Sequence, residues 1–126
     1  MHTVIETEAF QRSVIAAGLS ETEKLEIANY ISANPTAGDI MKGTGGARKV
    51  RFAGRGKGKR GGYRVITYYA AEDVPVFLLD LFAKGDVVNL TKGERNELKE
   101  VLASLVDDYR ASTSAKVAVL REGKAG

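Results

Sequence analysis

Four cations could act together on one phosphodiester: Lys49 and Arg51, two residues apart, then Arg64, and further along the chain Lys84. Tyr63, Tyr68 and Tyr69 stand beside them. Guanidinium groups bind phosphate through paired hydrogen bonds and stabilise the extra charge of a pentacoordinate transition state. Crowded lysines lose protons more easily and can serve as acid or base, so such a set could both hold and cut a nucleic-acid backbone. In extended chain Arg51 shares a side with Lys49, and Arg64 shares one with Ile66 and Tyr68. Neighbouring strands can then gather these cations into one cleft. The plain alternative is a surface strand with solubilising charges.

The charge distribution favours the cleft. Between Ile40 and Ala71 lie nine of the nineteen Lys and Arg residues and no acid, leaving ten bases against all sixteen acids elsewhere. Clustered cations that exclude carboxylates are an electrostatic footprint for phosphate. The absence of acids there also argues against two-metal phosphodiester chemistry, which needs converging acidic ligands, and Asp80 and Asp86 are isolated. His2 is the only histidine and is expected at a frayed terminus, which argues against a histidine-dependent triad or a two-histidine nuclease. Without cysteine there is no disulfide, thiolate metal site or thiol catalysis, and no metal or cofactor is expected. Gly56 to Gly61 matches G-x-G-x-x-G but leads into a strand instead of opening a helix, so it is not read as a dinucleotide fingerprint.

The elements that must position these side chains are legible in outline. With 126 residues the chain fits one domain, and no apolar run approaches a membrane span. The start of the chain shows no secretory pattern, so a cytoplasmic location is expected. Thr7 caps a helix that presents Phe10, Val14 and Ala17 and stops at Gly18. Ser20 to Glu23 is a capping box for a second helix with Leu25, Ala28 and Ile31 on one face, ended by Asn34-Pro35. Thr3 to Glu6 is a possible edge strand. Lys49 to Phe52, Tyr63 to Tyr69 and Val76 to Phe82 read as strands, the last two joined across the acidic turn at Ala71 to Pro75, with Gly54 to Gly62 as a flexible cationic loop. Thr91 to Glu94 caps a last helix with Leu98, Val101, Leu102, Leu105 and Tyr109 on its apolar face. A domain over residues 1–110 and a mobile tail over 111–126 are expected.

The runs G-T-G-G-x-R-K-x-R at 43–51 and G-K-G-K-R-G-G-x-R at 56–64, with L-x-x-[YF]-x-K at 79–84, are specific in combination. Over residues 3–109 the chain resembles the RelE superfamily of type II toxins, in its HigB-like branch. The resemblance implies an α+β fold with two N-terminal helices on an antiparallel sheet of three or four strands and a C-terminal helix. It implies ribosome-dependent, metal-independent cleavage of mRNA in the A site, leaving a 2′,3′-cyclic phosphate and arresting translation. Carried over by position, Lys49 and Arg51 match the paired cations facing RNA, Arg64 the arginine at the scissile phosphate, and Lys84 the base-bearing position after the last strand. Arg55, Lys57, Lys59 and Arg60 match the basic loop that holds RNA backbone, with Arg48 a weaker member and Tyr68 a possible substitute contact. Phe82 stands where a tyrosine is common, no tyrosine follows Lys84 before the last helix, and Asp80 could pair with a nearby cation.

The implied partners are the ribosome with its 16S rRNA, mRNA, and a cognate antitoxin of the helix-turn-helix kind, with DNA contacted only through that antitoxin. A non-catalytic RNA- or ribosome-binding module and a ParE-like toxin acting on gyrase are the competing classes. The dense lysine loop favours RNA over gyrase.

Overall fold

A computed structural model of the chain describes residues 2–53, 62–83 and 90–125, with side chains described up to residue 114. Its elements in order are β1 (Val4–Glu6), α1 (Glu8–Ala17), α2 (Glu21–Ala33), β2 (Asp39–Ile40), β3 (Arg48–Phe52), β4 (Tyr63–Tyr68), β5 (Val76–Ala83) and α3 (Lys92–Ala125). The class is α+β as the sequence indicates, but the sheet has five strands in the order β1-β5-β4-β3-β2 instead of three or four. It is also mixed, because β1 runs parallel to β5 with Val4 opposite Val76, while the other pairs are antiparallel. The uncounted strand is β2, whose two residues are too short to show a period.

Local chemistry fixes the helix ends. The Phe10 amide donates to Thr7 Oγ1, and Gly18 closes α1 in the left-handed region at φ 73°. In α2 the Glu23 amide donates to Ser20 Oγ and the Ser20 amide to Glu23 Oε1, a reciprocal box that stabilises by about 1 kcal/mol. Thr91 and Glu94 make the same pair of bonds at the start of α3, and those bonds from Thr91 hold the Glu94 carboxyl below its usual range.

Strand alternation divides the core between the two sheet faces. One face buries Val50, Val65, Val76, Leu78 and Leu81 against Phe10 and Val14 of α1 and Ile27 and Ile31 of α2. On the other, α3 lays Leu102, with Leu98 and Leu105, over Ala47, Ile66, Tyr68, Leu79 and Phe82. The expected α2 face is therefore corrected. Leu25 is 59% exposed and Ile27 takes the inward place. In α3 Val101 is turned outward and Val106 is buried. At the far end of α3's contact with the sheet, Arg110 donates twice to the Asp73 carboxylate at 2.8 Å. Those hydrogen bonds hold the Asp73 carboxyl below its usual range and tie the helix to the β4–β5 turn.

One further expectation meets a different structure. His2 is built into the fold instead of frayed: its amide donates to Ser32 O, its carbonyl accepts from Ser32 Oγ, and its Nε2 lies 3.2 Å from Tyr69 Oη. In the stretch expected as a mobile tail, the backbone continues as helix to Ala125.

Candidate active site

β3 and β4 bring the cations together. Their register sets Arg51 opposite Arg64 and Lys49 opposite Ile66. Phe52, Tyr63, Val50 and Val65, the intervening residues, pack on the α1–α2 side. Lys49, Arg51 and Arg64 therefore project on the α3 side, as Ala47, Ile66 and Tyr68 do. α3 seals the Ile66–Tyr68 end of that face. Lys49 and Arg64 are half-buried and Arg51 is exposed, beyond the apolar contact.

Directly opposed side chains in an antiparallel pair lie about 4.5–5.5 Å apart at Cβ, and like charges placed there destabilise the pair. At this register an anion held between the two guanidiniums would offset their mutual repulsion. Phe82 on β5 is the other register neighbour of Arg64 and joins the α3 cluster, giving the cleft an apolar wall. Such a site can bind one phosphate bidentately and stabilise added negative charge on it.

The other candidates are placed differently. Arg48 lies on the opposite side of β3 from Lys49, where its Nη1 donates to Thr36 O at 2.9 Å and Gly38 O at 3.3 Å. That clamp holds the chain entering β2. Tyr68 shares the face of Arg64, but four residues of strand separate them by about 13 Å. Its ring packs beside Gly46 and Ala47. Lys84 and the loop cations Arg55, Lys57, Lys59 and Arg60 lie outside the described residues.

Asp80 accepts from Ser13 Oγ at 2.5 Å and from the Leu81 amide at 2.8 Å, so it braces β5 against α1 instead of pairing with a described cation. Sequence reasoning missed Asp39. The β2–β3 register sets it opposite Lys49, which puts one carboxylate beside a centre expected to have none. The signal was present, since Asp39 sits one residue before the acid-free window begins, but only the pairing shows its relevance. Among the described residues no group of three or more His, Asp or Glu side chains comes together to hold a metal. Among them, too, no helix is long and apolar enough to cross a membrane.

Compared with protein families, residues 2–124 match the model of the RelE toxin of the RelE/RelB toxin-antitoxin system.

Proposed function

The chain belongs to the RelE toxin family, and is thus a toxin of a toxin-antitoxin system; from that premise we propose that it is a ribosome-dependent endoribonuclease of the HigB-like branch, cutting mRNA in the A site. The observation that carries the reading is the register of Arg51 with Arg64 on the open part of the α3 face, with Lys49 on the same side.

In the proposed reaction the ribose 2′-oxygen attacks the adjacent phosphorus as its proton leaves. The new O2′–P bond forms while the P–O5′ bond breaks, and the departing 5′-oxygen takes up a proton. The products are a 2′,3′-cyclic phosphate and a 5′-hydroxyl, so no metal or external oxidant enters the balance. Arg64 stabilises the phosphorane, Arg51 shares the non-bridging oxygens, and Lys49 or Lys84 accepts the 2′-proton. The ribosome supplies the alignment of the 2′-oxygen with the leaving group, which a small cationic cleft does not provide alone.

Phe82 beside Arg64 offers no hydroxyl, so the proton returned to the 5′-oxygen comes from a lysine or from water. The implied partners remain an antitoxin of the helix-turn-helix kind, the 16S rRNA and mRNA, in the cytoplasm. The test is purified protein with programmed ribosomes. A cut within the A-site codon, ending in a cyclic phosphate, supports the reading. Arrest without cuts would favour a non-catalytic ribosome binder, and a DNA-damage response on induction would favour a gyrase toxin.

A further inference from the structure

A second set of cations lies on the same side of the sheet. Sequence patterning gave it no role. The chain between β2 and β3 folds into a closed loop: the Met41 amide donates to Ala47 O at 2.8 Å, and the fully buried Thr44 donates its hydroxyl to Met41 O at 2.7 Å. The same Thr44 oxygen accepts from the Ala47 amide at 3.1 Å. Gly43 and Gly45 have φ 79° and 81°, which L side chains rarely adopt. Both are pressed against α3. A Cβ on Gly43 would meet Arg95 Cδ at 3.1 Å, and one on Gly45 would meet Lys99 Cγ at 3.0 Å. The aliphatic stems of Arg95 and Lys99 therefore lie along the loop, while both residues remain exposed.

Arg95 and Lys99 are one helical turn apart, and the positions three and four residues from each hold no acid: Thr91, Lys92 and Leu98 for Arg95, and Asn96, Leu102 and Ala103 for Lys99. Neither makes an ion pair among the described residues. Like charges at this spacing destabilise a helix slightly, so the arrangement adds nothing to α3's own stability. Exposed Lys92 continues the stripe one turn earlier, and exposed Lys42 sits in the loop itself. Ala47, which closes the loop, is buried under α3, and Lys49 and Arg51 follow from it on alternate positions of the same face.

We propose that this flank of α3, with Arg95 and Lys99 laid against the Gly43–Gly45 loop, is a second phosphate-backbone surface that grips ribosomal RNA beside the cleavage cleft. The inference rests on the ribosome-dependent reading above. Its partner is RNA, not protein, because the flank lacks an apolar anchor of the kind that dominates protein interfaces. The large exposed apolar side chains among the described residues are Ile15, Leu25, Tyr30, Ile40 and Val101. Val101 follows Lys99 by two residues, about 200° around the helix, and Ile40 pairs with Arg48 on the other sheet face. Stems held against a rigid loop also lose little side-chain freedom on binding.

The test measures binding of the full chain to programmed ribosomes as a function of salt. Arg95→Gln/Lys99→Gln should weaken binding about tenfold near 0.15 M salt and make the slope of log K against log salt shallower by roughly 1.5. Arg12→Gln removes a charge from α1 on the opposite layer and should leave affinity and slope in place. Equal slopes for the wild type and the double variant would overturn the surface, as would an equal flattening by Arg12→Gln. Normal ribosome binding by a double variant that loses an acidic protein partner would also overturn it. The two readings fail separately: a wild type that binds with the steeper slope but leaves mRNA intact removes cleavage and supports the surface.

Discussion

Arg64 and Val65 are neighbours on β4, yet they belong to opposite regimes. Val65 is fully buried between the sheet and the helices α1 and α2, within the apolar cluster that Val50, Leu78 and Leu81 form on that face. Arg64 faces the other way, onto a surface that α3 covers only in part, and its cross-strand partner is another arginine. One face is optimised for packing. The other accepts like-charge proximity that a purely structural sheet would avoid, and this is where the structure departs from what stability alone would select.

The contrast makes opposite predictions for the two faces. Leu78→Ala on the packed face should cost about 2–5 kcal/mol of stability, read by denaturant unfolding, while cleavage per folded molecule is kept. Arg51→Ala on the open face should do the reverse. Cleavage should fall about 100-fold, whereas stability stays level or rises by a few tenths of a kcal/mol as the like-charge pair is relieved. A marked loss of stability in Arg51→Ala would erase the distinction between the faces. Arg48→Ala sharpens it from within one strand. Its two carbonyl contacts are structural, so it should lose about 1 kcal/mol of stability with a smaller change in cleavage than Arg51→Ala, one position being on each side of β3.

How much of this was legible follows the range of the interactions. Caps are local, and Thr7, Ser20–Glu23 and Thr91–Glu94 all make the bonds their spacing implies. Alternation within a strand is local too, so Lys49 and Arg51 could be assigned a common side, as could Arg64 and Tyr68. The register that sets Arg51 against Arg64 depends on the length and shape of the connection between β3 and β4, which no pattern of side-chain types specifies. The same limit hid Asp39, brought opposite Lys49 by a two-residue strand, and the anchoring of His2 by Ser32 thirty residues away. The inward face of α2 was misread for a different reason. Leu25, Ile27, Ala28, Tyr30 and Ile31 surround much of the helix, so periodicity alone could not choose between Leu25 and Ile27. The Gly43–Gly45 stretch was read only as part of a motif, with no packing role. In the structure its glycines serve close packing against α3 instead.

The central claim, that the open face cuts RNA through Arg64, is tested most directly by mapping mRNA ends on programmed ribosomes with the wild type and Arg64→Ala at matched folded concentration. The account predicts a cut in the A-site codon with a 2′,3′-cyclic phosphate for the wild type, and a rate lower by about 100- to 1,000-fold for the variant. Intact mRNA with the wild type, or equal cutting by both proteins, would contradict it.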